Sequence, residues 1–163
     1  MERRIVVVLV LSAVAIGIAA LLGAGGKDSS SSTSGISKDL NVRPVIGADA
    51  STPPTTLVTK DIVVGSGPAA KNGDKVTMRY AGVDYTTGKE FDASWNRPEN
   101  AFPFTIGAGQ VIPCWDKGVA GMQVGGRREL ICPPDLAYGA SGQPPAIGPN
   151  ATLVFVVDLK KIG

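Results

Sequence analysis

Val76 to Gly82 reads VTMRYAG, and the alternation within it decides the fold. Val76, Met78 and Tyr80 alternate with Thr77, Arg79 and Ala81, the period-two pattern of a strand with one face on a core and the other toward solvent. Downstream, Asp84 to Glu90 contains Thr86-Thr87-Gly88-Lys89, a hairpin turn that predicts an antiparallel second strand around Phe91. After a loop at Asn96 to Asn100, Phe102 to Ile106 predicts another strand. Pro113 to Ala120 alone reads as helix: Pro113 suits an early helical position, Trp115 and Val119 are i,i+4 partners, and Gly121 can end it. Arg127 to Cys132 resumes extended structure, with Leu130 and Cys132 on one face and the mixed charges of Arg127, Arg128 and Glu129 expected to face solvent. Pro133 to Pro149 is a long proline-rich loop, of a kind that often carries function. Leu153, Phe155, Val157 and Leu159 then form one face of a last strand, with Asp158 and Lys160 on the other. Upstream, Leu57 to Val64 predicts a first strand, closed by Gly65-Ser66-Gly67-Pro68. The sum is an α+β domain, an antiparallel sheet folded over one short helix.

Before this domain the composition changes twice. Glu2, Arg3 and Arg4 precede an uncharged, apolar stretch from Ile5 to Gly26, which fits either a cleaved signal peptide or a membrane-spanning anchor. The basic start places the N-terminus in the cytoplasm and the rest outside it, membrane-anchored or secreted. Residues 27–43 are rich in Ser, Thr and Gly and are expected to form a flexible linker. The domain is expected to occupy residues 44–163.

Composition narrows the chemistry. Net charge is +2, with charged residues 18% of the chain, and no basic block marks a nucleic-acid surface. The chain has no histidine and two cysteines. That excludes Ser-His-Asp and Cys-His catalysis, imidazole ligation and a structural zinc site, so no metal or cofactor is expected. Every Phe, Tyr and Trp lies from Tyr80 onward, interleaved with Asp92, Arg97 and glycine-rich turns. Such a cluster suggests a pocket that grips an apolar ligand and presents few polar groups.

Six ordered blocks carry a resemblance: Val76 to Gly82 (VTMRYAG), Gly88 to Ser94 (GKEFDAS), Gly109 to Trp115 (GQVIPCW), Gly118 to Arg127 (GVAGMQVGGR), Leu136 to Gly142 (LAYGASG) and Pro149 to Phe155 (PNATLVF). Their order and spacing resemble the FK506-binding protein family of peptidyl-prolyl cis-trans isomerases, over roughly Leu57 to Gly163. The resemblance implies a five- or six-stranded antiparallel half-barrel around one short helix, with a proline pocket between them. It also implies that Trp115 forms the pocket floor. Tyr80, Phe91, Phe102, Val111, Ile112 and Phe155 would be the walls, with Ile147 and Tyr138 supplied by the long loop. Asp92 and Tyr138 would be the polar groups that touch the substrate backbone, and Asp92 would either meet the twisted carbonyl or position Tyr80 and Arg97. Asp92, Tyr138, Tyr80 and Phe155 are the residues on which catalysis would rest.

The implied partners are proline-containing polypeptides, with FK506-type macrolides as a second ligand class, and a monomer is expected. An isomerase of extracytoplasmic proteins is one reading; a proline-segment-binding or chaperone module with little turnover is the other. Asn150-Ala151-Thr152 forms a glycosylation sequon, meaningful only in a eukaryotic secretory host. Cys114 and Cys132 lie on adjoining elements. In an exported domain this suggests a disulfide, with separate buried thiols as the alternative.

Overall fold

The computed structural model describes residues 35–163. Six strands and one helix follow in order: β1 (Val58–Val63), β2 (Lys75–Asp84), β3 (Glu90–Ala93), β4 (Phe102–Thr105), α1 (Pro113–Gly118), β5 (Arg127–Cys132) and β6 (Leu153–Ile162). They form one antiparallel sheet in the order β1-β5-β6-β2-β3, with β4 also paired to β2. The α+β expectation holds, with six strands. β3 pairs with the Ala81–Val83 end of β2 and β4 with its Lys75–Met78 end, so β3 and β4 act as one interrupted edge strand. Short 3-10 turns occupy Ser94–Asn96, Pro134–Leu136 and Gly139–Ser141.

Alternation along β2 separates two cores. Val76, Met78 and Tyr80 face inward and pack with α1 and with Leu130, Phe155, Val157 and Leu159. Ala81, Val83 and Tyr85 face outward and pack with Ala93, Val154 and Val156 in a second cluster closed by Ile36 and Ile46. The linker expectation therefore fails for residues 36–43. Ile36 is 7% exposed, and the carbonyls of Ser37, Leu40 and Val42 accept hydrogen bonds from Arg127, Arg79 and Arg127 respectively. A covered apolar face and arginine donors that need acceptors order a segment whose composition alone reads as solvated.

The same donors overturn the expectation that Arg127 and Glu129 face solvent, since Arg127 is 0% and Glu129 2% exposed. Arg127 is tolerated there because Asp158 takes two of its N–H groups, Nε to Oδ1 at 2.6 Å and Nη2 to Oδ2 at 2.8 Å. Burying a charge without such pairing would be prohibitive. Arg128 is half-buried rather than free: its Nη1 donates to the carbonyls of Gly118 and Ala120. These bonds satisfy carbonyls at the helix end, and α1 stops at Gly118, short of the expected Ala120. Cys114 and Cys132 are disulfide-bonded across 5.7 Å between Cα atoms, tying α1 to β5.

Among the described residues no helix is long and apolar enough to cross a membrane. The segment Ile5 to Gly26, read above as signal or anchor, lies outside them.

Candidate functional site

The site sits where α1 meets the inward face of the sheet. Pro113 opens the helix, and Asp116 draws the preceding loop against it by accepting the N–H groups of Gly107 at 2.7 Å and Gly109 at 3.2 Å. Trp115 then projects into a cage of rings. Its centroid lies 5.0 Å from Tyr80, 5.4 Å from Phe155 and 5.7 Å from Phe102, all near perpendicular. Edge-to-face contacts of this kind contribute beyond simple burial. Phe104 completes the cage at 5.7 Å, a neighbour that the sequence reading did not single out. Trp115 Nε1 is buried without a hydrogen-bond partner.

Strict alternation would send Phe91 and Asp92 to opposite faces. A bulge prevents it: Val83 pairs with Glu90 and Gly82 with Asp92, leaving Phe91 as the extra residue. Bulges re-aim side chains in this way, so both Phe91 and Asp92 serve the inner face while Glu90 turns outward. Gly82 makes room for the result, since a Cβ there would stand 2.7 Å from Phe91 Cζ and 2.8 Å from Phe155 Cε1. Phe91 and Phe155 meet at 5.4 Å, nearly perpendicular.

A compact polar group borders these rings. Tyr80 donates its hydroxyl hydrogen to Asp92 Oδ2. Arg97 Nη2 donates to Tyr80 Oη at 2.8 Å and to Asp92 Oδ2 at 3.0 Å. The three residues close a ring of charge-assisted hydrogen bonds, and Asp92 holds both Tyr80 and Arg97. Burial, then the hydrogen bond and charge of Asp92, push the Tyr80 hydroxyl well above the ordinary tyrosine value. Ser94 supports the group from the backbone. Tyr80 pairs with Val157 of β6 on one side but with neither β3 nor β4 on the other, and there Ser94 Oγ accepts its N–H at 2.9 Å. A serine after a strand gives no sequence signal for this role.

Tyr138 enters from the long loop and is half-buried. Burial first, and the negative charge of Asp92 second, raise its hydroxyl above the ordinary value. Ile147 is brought inward, 3% exposed, by a tight return in which Gln143 and Ile147 exchange N–H to carbonyl bonds at 2.8 and 2.9 Å. Gly142, at φ +60°, precedes that return in a left-handed conformation that suits glycine. Ile112 is buried in the same core, and Val111 and Phe102 pack against it partly exposed. The structure thus gathers Tyr80, Phe91, Asp92, Arg97, Phe102, Val111, Ile112, Trp115, Tyr138, Ile147 and Phe155 around one core and its rim. A separate cleft of about 420 Å³, lined by residues including Pro53, Pro54, Pro133, Pro134 and Asn150, contains none of them. Among the described residues no group of acidic or sulfur ligands could hold a metal ion.

An open antiparallel sheet, a short helix beneath it and an aromatic cage bordered by one half-buried carboxylate define a class, and the comparisons agree. Residues 67–160 match the family of FKBP-type peptidyl-prolyl cis-trans isomerases. The chain is 52% identical over 118 residues to the FK506-binding protein of Streptomyces anulatus, spanning 72% of this chain and 94% of that one. The crystal structure of FkpA from Escherichia coli is similar with TM-score 0.59 and 41% identity, over 66% of this chain and 48% of that one. That of AtFKBP13 is similar with TM-score 0.62 and 36% identity, over 68% and 96%. The chain belongs to the FKBP-type peptidyl-prolyl cis-trans isomerase family and is an isomerase of that type.

Proposed function

We propose that this isomerase accelerates rotation about X-Pro bonds by non-covalent stabilisation of the twisted amide in the aromatic cage, and that its substrates are extracytoplasmic polypeptides during folding. The observation that carries the mechanism is the Tyr138 hydroxyl. It is half-buried, held in its protonated form by burial and by Asp92, and makes no hydrogen bond to another described residue. It is a donor ready for a substrate carbonyl.

The barrier to be lowered is about 18 to 20 kcal/mol, set by amide resonance. No bond is made or broken. At the twisted geometry resonance is lost and the amide is less polar, so an apolar cage favours that state over the planar one. Trp115, Phe155 and Phe91 receive the proline ring, and Tyr138 fixes the carbonyl. Asp92 acts by fixing Tyr80 and Arg97 and by setting the field over the amide. Both oxygens of its carboxylate are already engaged, which favours this role over attack-like approach to the carbonyl carbon. FK506-type macrolides are proposed as ligands of the same cage, on the similarity to the FK506-binding protein of Streptomyces anulatus. The extracytoplasmic assignment rests on the apolar stretch Ile5 to Gly26 and on a disulfide, which persists best in oxidising compartments.

The test is isomerisation of a proline peptide by the full-length chain and by Asp92→Ala, Tyr138→Phe and Phe155→Ala variants, each checked for native folding. Tyr138→Phe should lower kcat/KM by about 5- to 30-fold, the loss expected for one hydrogen bond made in the transition state. Full activity in folded Tyr138→Phe and Phe155→Ala would defeat the mechanism. A folded wild type with no acceleration would leave a proline-binding module instead.

A further inference from the structure

We infer that the segment of residues 36–46 is a working part of the isomerase site, acting through Arg43 as a positioning residue. This segment lies outside the family match at residues 67–160. It crosses the outward face of the sheet, anchored by Ile36 and Ile46 in the outer core and by its carbonyls on Arg79 and Arg127. Between these anchors Arg43 reaches toward β3. Its Nη2 donates to both Glu90 oxygens at 2.6 Å, and its Nη1 donates to Asn96 Oδ1 at 3.0 Å. Asn96 Nδ2 closes the ring on Glu90 Oε1 at 3.3 Å.

Glu90 begins β3 and Asn96 ends the turn after it. Phe91 and Asp92 lie between them, and Arg97 follows directly. The same short segment is therefore clasped twice. On the inner face Arg97 joins Asp92 and Tyr80; on the outer face Arg43 joins Glu90 and Asn96. The bulge at Phe91 makes this possible by turning Glu90 outward while Asp92 faces in. The outer clasp sets the distance between β3 and the turn, and hence the reach of Arg97 to Asp92. Arg43 and Glu90 are 40% and 36% exposed. A pair so open to water adds little to global stability, so its removal is expected to leave the fold intact and any effect on turnover can be read separately.

The inference rests on the Asp92–Arg97 pair serving catalysis, and the experiment separates the two. In the full-length chain, Arg43→Ala, Arg43→Lys, Arg97→Ala and the Arg43→Ala/Arg97→Ala double variant are compared for denaturation midpoint, kcat and KM. Arg43→Ala should leave the midpoint unchanged and lower kcat by about 3- to 10-fold with little change in KM, below the roughly 100-fold that a full 1 Å misplacement can cost. Arg43→Lys, which keeps the charge without the fork, should recover part of the loss. In the Arg97→Ala background Arg43→Ala should have no further effect. If Arg97→Ala lowers kcat and Arg43→Ala does not, or the Arg43 effect persists without Arg97, the inference is overturned while the site reading stands. If Arg97→Ala itself has no effect, both fall.

Discussion

Two arginine–aspartate pairs in this protein have nearly the same geometry and very different surroundings, the buried one also having Arg79 Nε 4.0 Å from its carboxylate, which allows a buried charge cluster to be compared with an exposed pair. Arg127 Nε meets Asp158 Oδ1 at 2.6 Å and Nη2 meets Oδ2 at 2.8 Å. Arg128 Nε meets Asp61 Oδ1 at 2.6 Å and Nη2 meets Oδ2 at 3.1 Å. The first pair has side-chain exposures of 0% and 2%, the second 14% and 39%. Asp158→Asn keeps the shape and removes the charge, leaving a guanidinium in the interior. Breaking a buried pair on one side typically costs about 3 to 5 kcal/mol. The carbonyls of Ser37 and Val42 still accept from Arg127, which places the expectation near the lower end, about 3 kcal/mol. Asp61→Asn should cost less than about 1 kcal/mol, as exposed pairs do. In urea, with a slope near 2 kcal/mol per molar, the midpoints should fall by about 1.5 M and less than about 0.5 M. Equal shifts for the two variants would refute the claim that burial sets the difference.

Two further outcomes are expected. Replacing both Cys114 and Cys132 by Ser releases a cross-link of sequence separation 18 and should lower the unfolding free energy by about 3 kcal/mol; a loss under about 1 kcal/mol in equilibrium denaturation would contradict it. Tyr80 and Tyr138 both have folded-state values raised above 10.0, so above about pH 10 the folded state holds more protons than the unfolded one. Stability should therefore be fully present below that pH and decline as pH rises through the alkaline range, with activity flat from pH 7 to about 10. Tyr138→Phe should flatten part of the decline; an unchanged slope in both Tyr138→Phe and Tyr80→Phe would argue against the assignment.

β2 was legible because Val76, Met78 and Tyr80 alternate onto the main core, but its other face, expected to meet solvent, is buried too at Arg79, Ala81 and Val83, because a second cluster covers it. β5 was expected at Arg127 to Cys132 and lies there. Its charges misled for a physical reason: Arg127 is neutralised by Asp158 on the neighbouring strand and by carbonyls of residues 37 and 42, partners that a local reading cannot see. The aromatic cage was legible because its residues recur in recognisable blocks. Its supports were not. Ser94 works through a gap in a ladder, Gly82 through the room it leaves two rings, and Arg43 through residues 47 and 53 positions away, none of which alters composition or periodicity. Residues 36–43 look like solvated chain because two isolated isoleucines carry the packing of that region.

The position of β6 has a consequence for how the chain acquires its structure. β6 is the last strand in sequence, yet it lies at the centre, pairing with β5 on one side and β2 on the other. As the chain emerges from the ribosome or through a membrane, β2 and β5 exist before the strand that joins them. Until Leu153 to Ile162 is free, their inner edges stay open to pairing with another chain. Sheet formation therefore waits on Leu153–Ile162, and such long-range pairing is slow, in the range of milliseconds to seconds. Loss of β6 would remove the seam of the whole sheet and expose the facing edges of β2 and β5 together, so this isomerase itself needs protection from such pairing while incompletely made.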